Sequence, residues 1–142
     1  KKGVWMNFKA TVVAATLGVV LCATSAMAEV YECKVRSNGR FGGIQPVTIF
    51  SISEEENVVV VYDALIKHHY DKPILGKVVV INSKRYTFKW SVDSVIAGDG
   101  ETLPRIDYRA TYLRGNHKFT ITGFPAGWDN QYNGTGTCKR TK

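Results

Sequence analysis

"RYTFKWSV", Arg85 to Val92, sends Tyr86, Phe88, Trp90 and Val92 to one side and Arg85, Thr87, Lys89 and Ser91 to the other. Successive side chains on a strand point to opposite faces, so strict alternation of large apolar with polar residues predicts a strand with one face buried. The same pattern recurs in "RIDYRATYL", where Ile106, Tyr108, Ala110 and Tyr112 oppose Arg105, Asp107, Arg109 and Thr111. "KFTIT" continues it with Phe119 and Ile121 inward, and "VYECKV" places Tyr31, Cys33 and Val35 on one face. "PVTIFSI", "VVVVY" from Val58 to Tyr62 and "KVVVI" from Lys77 to Ile81 are more continuous runs, as expected of a strand covered on both sides or of an edge under a loop.

The punctuation between these runs predicts antiparallel hairpins. "EEEN" (Glu54 to Asn57), "NSK" (Asn82 to Lys84) and "RGNH" (Arg114 to His117) are short and turn-rich. Two connections are longer: "ALIKHHYDKPILG" from Ala64 to Gly76, and "DSVIAGDGETLP" from Asp93 to Pro104. Only "YDALIKHHY" has room for a turn or two of helix. The expected fold is all-β: a single antiparallel β-barrel or compact sandwich of about eight short strands.

Residues 1–28 read as a signal peptide, with residues 1–5 as an upstream extension. Lys9 precedes an apolar run from Ala10 to Ala23, and Ala26-Met27-Ala28 is an A-x-A cleavage site. The remaining residues, 29–142, suit one domain of a size that buries roughly two thirds of its unfolded surface. The full chain carries a net charge of +7, but residues 1–28 hold three lysines and no acid, leaving 16 basic against 12 acidic residues. Apart from Lys84-Arg85 and the tail Lys139-Arg140-Lys142, those cations are scattered singly, which argues against nucleic acid. Cys22 lies in the signal, so the domain keeps Cys33 and Cys138, and an even pair in an exported chain predicts a disulfide between first and last strands. The expected localisation is periplasmic or secreted, as a monomer without membrane insertion once the signal is removed.

No catalytic, cofactor or metal motif emerges. His68 and His69 are adjacent and would face opposite sides of a strand, and "KHHYD" lacks the i, i+4 pairing or distant third ligand of zinc sites. There is no Gly-x-Ser-x-Gly elbow, and oxidised cysteines supply no thiolate. Glu54, Glu55 and Glu56 form a solvated turn, and a glycosidase needs a cleft between its carboxylates that so small a barrel scarcely offers. Expected catalytic residues, metals and cofactors are therefore none. Two loops remain as candidate partner-binding elements. In "GWDNQY", Trp128 offers apolar contact area, and Asp129, Asn130 and Gln131 offer orienting polar groups; in "KHHYD", His68, His69 and Tyr70 stand beside one another. Gly134 and Gly136 read as relief of crowding, or room for a bulge, near a closing strand.

Taken together, "YEC" (Tyr31 to Cys33), "PILGKV" (Pro73 to Val78), "NSKRYTFKWSV" (Asn82 to Val92), "YRATY" (Tyr108 to Tyr112) and "PAGWDNQYNGTGTC" (Pro125 to Cys138) resemble a family of small exported bacterial β-proteins of uncharacterised activity. The resemblance implies one β domain with a terminal disulfide and implies no reaction. A weaker likeness is to periplasmic lysozyme inhibitors of the small β-barrel type, which carry a Ser-Gly-x-x-Tyr loop. Here "NSKRY" is the nearest match, with Lys84 where glycine is expected, and Trp90 lies too close along the strand to match that family's downstream tryptophan. The expectation is a non-enzymatic binding or structural domain of the bacterial envelope, its partner an unknown protein or an envelope glycan. The alternatives are a proteinaceous inhibitor of a cell-wall hydrolase and a carbohydrate-binding module.

Overall fold

The computed structural model describes residues 28–38, 43–96 and 99–141. The signal-peptide reading therefore lies outside the described residues, apart from Ala28. Eight strands follow in chain order: β1 Val30–Ser37, β2 Val47–Ser53, β3 Val58–Asp63, β4 Ile74–Ile81, β5 Arg85–Ile96, β6 Thr102–Leu113, β7 Lys118–Pro125 and β8 Tyr132–Arg140. Each pairs antiparallel with the next, and β8 returns to β1, so the sheet closes as an up-and-down barrel rather than a sandwich. Closure leaves no strand edge to template aggregation. The lower end holds the tight turns 54–57, 82–84 and 114–117. The upper end holds the connections after β3 and β7 and the described parts of those after β1 and β5.

The interior is a stack of aromatic rings, because alternate residues of every strand face the barrel axis. Tyr31 packs on Tyr112 with ring centroids 4.8 Å apart and on Phe50 at 5.0 Å. Phe50 meets Phe88 at 4.8 Å, Phe88 meets Trp90 at 5.6 Å, and Trp90 stacks on Tyr108 at 5.2 Å. Val59, Val61, Ile106 and Ile121 fill the spaces between the rings and the wall. Cys33 and Cys138 stand directly opposite across the β1–β8 ladder and are bridged. That disulfide points to an oxidising, non-cytoplasmic setting. Among the described residues no helix is long and apolar enough to cross a membrane.

Three segments differ from the sequence expectation. Ile74–Gly76 is the start of β4 rather than part of a loop, and most of 93–104 extends β5 and β6. In β3, Val59 and Val61 are buried while Val60 is exposed, so this run covers one face only.

Gly136 shows how the barrel closes. A Cβ at this position would fall inside the van der Waals envelope of the Lys34 carbonyl oxygen, and backbone on backbone cannot swing aside. Gly136→Ala is expected to cost about 3 kcal/mol, whereas Gly115→Ala, with open space around it, should be near neutral. Urea unfolding of the two variants checks this.

The one short helix, α1 (Ala64–Tyr70), caps the upper end between β3 and β4. Asp63 is its N-cap, accepting from the Ile66 N–H at 2.8 Å, and Ile66 plugs the barrel with no exposed surface. Asp71 ends the helix in the left-handed region, its N–H donating to the Lys67 carbonyl at 2.9 Å.

Burial pushes the Asp63 carboxyl above its ordinary range, although the Ile66 and Leu65 N–H groups pull the other way. The folded state then holds this proton more tightly than the unfolded chain, so stability falls as pH rises from about 4 through the folded pKa. Asp63→Asn keeps the capping oxygen without the charge. Its expected effect is higher stability than the parent at pH 7, with the difference vanishing near pH 3, as denaturant midpoints across that range would report.

Candidate functional site

The two candidate loops both lie at the upper end, on opposite sides of its rim. α1 sits between β3 and β4, and residues 126–131 connect β7 to β8.

On the helix side, two of the three predicted side chains are already engaged. His69 Nδ1 lies 3.0 Å from the Leu65 carbonyl oxygen and its Nε2 lies 3.2 Å from that of Ser94. The Tyr70 hydroxyl accepts from the Asp93 N–H at 3.0 Å. His69 and Tyr70 thus fasten α1 onto β5, and His68 stays exposed beside His69, ring edge against ring face. Among the described residues no group of three His, Cys, Asp or Glu side chains gathers as a metal site.

On the other side, Trp128 is 44% exposed. Its loop is shaped by backbone: the Ala126 N–H donates to the Arg105 carbonyl, and the Trp128 N–H to that of Pro125. Gly127 takes a positive φ of 81°, which allows the sharp turn. Asp129, Asn130 and Gln131 are exposed, and their side chains make no hydrogen bond among the described residues. The indole and these three polar groups, with the exposed His68 across the rim, are the part of the predicted site that makes no side-chain hydrogen bond among the described residues.

The lower end is polar but satisfied internally. Tyr31 donates to Glu29 at 2.5 Å, Tyr86 donates to Glu54 at 3.1 Å, and the Tyr112 hydroxyl meets His117 Nδ1 at 2.6 Å. Burial pushes all three phenols above their usual range. The Tyr31 hydroxyl, aided by Arg140, holds the Glu29 carboxyl below the ordinary carboxylate range. The Arg114 guanidinium covers the Tyr86 ring at 4.7 Å, within cation–π range. "NSKRY" is also consumed here, since Asn82 Oδ1 accepts from the Lys84 and Arg85 N–H groups, both at 2.9 Å. This is an Asx-type turn.

The sequence reading missed a third surface, the outer face of β4 to β7. Lys77, Lys89 and Arg109 line a shallow hollow there, with Leu75 and Phe124 as apolar walls and Ser91 and Asp107 between them. Each cation looked like part of a solvated face on its own strand, and only the register brings them side by side. Phe124 lies four residues before Trp128, so one wall of the hollow runs up to the exposed loop. Comparison with family models, curated proteins and solved structures finds no match to this chain.

Proposed function

We propose that this chain is an exported, non-enzymatic binding domain of the bacterial envelope that holds another macromolecule on the outside of its barrel. The observation that carries the reading is the contrast between inside and outside. The interior is occupied by its own stacked rings, while Trp128 stands half in solvent beside three polar side chains that the fold leaves unengaged. An exposed indole rimmed by polar groups is the composition of an interface anchor. The Cys33–Cys138 bridge suits periplasmic or secreted work.

Site-specific photocrosslinking in the chain's own envelope extract tests this. A photoreactive residue in place of Trp128 should give discrete adducts, and one in place of Glu55, in a turn at the far end, should give none. Equal labelling from both positions, or none from position 128, contradicts a recognition surface at the upper end.

A further inference from the structure

The hollow on β4 to β7 has a charge pattern that the fold does not need. Lys77 stands directly opposite Lys89, and Lys89 directly opposite Arg109, so three cations form one row across three neighbouring strands. Like charges directly opposite one another disfavour a sheet. The row holds two such pairs, and none of its members is ion-paired among the described residues. The adjacent acid, Asp107, is already engaged. It accepts from Ser91 Oγ at 2.6 Å and pairs with Arg105 Nε at 3.1 Å.

A second row lies two residues along the same strands. Ser91 faces Asp107, and Asp107 faces Phe124, while Leu75 stands two residues before Lys77 on β4. Leu75 is 71% exposed and Phe124 39% exposed. The two rows together enclose about 730 Å³ of open hollow.

We infer that this hollow docks an acidic segment of a partner protein, with carboxylates on the Lys77–Lys89–Arg109 row and apolar side chains on Leu75 and Phe124. Charge complementarity sets the sign of the occupant, and the second row sets its class. A polyanion charged at every unit would set charges against Asp107 and leave both apolar walls bare. A peptide mixing acidic with apolar side chains satisfies both rows, and its backbone N–H groups find an acceptor in Asp107 Oδ2, since Ser91 and Arg105 both use Oδ1. The inference rests on the reading of the domain as a binding module, and it concerns a different surface from the Trp128 loop.

The test uses the disulfide-bonded barrel, residues 29–142, which contain all eight strands, α1 and every core residue described. Three probes are compared by fluorescence anisotropy or competition: a labelled dodecapeptide of glutamates interrupted by leucines, an all-glutamate peptide, and inorganic polyphosphate. The mixed peptide should bind tightest and weaken as salt is raised. Lys89→Gln, at the centre of the row, should cut its affinity at least tenfold and at the same time raise Tm, because it removes both like-charged contacts. Leu75→Ser with Phe124→Ser should weaken the mixed peptide and leave polyphosphate unchanged. Trp128→Ala should leave this binding intact, so loss of peptide binding with crosslinking at position 128 preserved overturns only the present inference. It is also overturned if the mixed peptide shows no saturable binding, or if Lys89→Gln lowers Tm and spares affinity. Polyphosphate binding as tightly as the mixed peptide would replace the protein partner with a simple anion site.

Discussion

Removing the Cys33–Cys138 bridge should lower the unfolding free energy by about 4 to 5 kcal/mol. The bond joins residues 105 positions apart, so it closes nearly the whole domain into one loop and restricts the unfolded chain more than a local bridge would. The folded state, by contrast, changes little when the bond is cut. Seven residue pairs from Tyr31↔Arg140 to Ser37↔Gly134 still hold β1 against β8. The reduced chain, or Cys33→Ala with Cys138→Ala, should therefore keep its β-sheet circular dichroism at low temperature and melt roughly 15–25 °C lower. For a domain of this size such a loss is a large part of the total stability. A change below about 1 kcal/mol would mean that the ladder alone closes the barrel and that the unfolded chain is compact without the bridge.

Phe50→Ala should cost about 3 to 5 kcal/mol. Phe50 is 1% exposed and sits within ring contact of Tyr31, Phe88, Tyr112 and Phe119. Four rings lose a neighbour when it is truncated. The wall around them cannot collapse inward, because every strand is hydrogen-bonded on both sides. Phe124→Ala is the matched comparison: it removes the same atoms from the outside of the barrel, where the expected change is within about 0.5 kcal/mol. Urea midpoints for both variants, at equal m-values, separate a packed core from a surface aromatic.

Much of this barrel could be read from alternation alone, because a closed sheet has one inside and one outside and period two reports which is which. The pattern was lost where the phase slips. Val92 and Val95 are both buried, and so are Leu103 and Ile106 on the partner strand. Ser94, in the left-handed region with φ of 53°, interrupts the alternation there, and the strand ends on either side resembled a connection. A register shift between Val78 and Val80 did the same in β4, where Val79 is exposed. The candidate site was legible in part. Trp128 and its polar neighbours stood out as a loop indole beside orienting polar groups, and among the described residues the side chains of Asp129, Asn130 and Gln131 make no hydrogen bond. His69 and Tyr70 proved to be fasteners, since the helix that uses them required the Asp63 cap, the Ser94 carbonyl and the Asp93 N–H to be placed first. The Lys77–Lys89–Arg109 row depends on three strands being in register, which no single stretch of sequence encodes.

The central claim is that the barrel is filled and recognises its partners from outside, and the Lys77–Lys89–Arg109 hollow is the part of that outer face with a stated occupant. Backbone NMR of the isotopically labelled domain, titrated with the glutamate–leucine peptide, addresses it most directly. The account predicts shifts that grow with peptide for Leu75, Lys77, Lys89, Arg109 and Phe124, with Tyr31, Tyr86 and Tyr112 at the lower end unmoved. Shifts centred on those three tyrosines or on the interior rings, with the outer face silent, would contradict it.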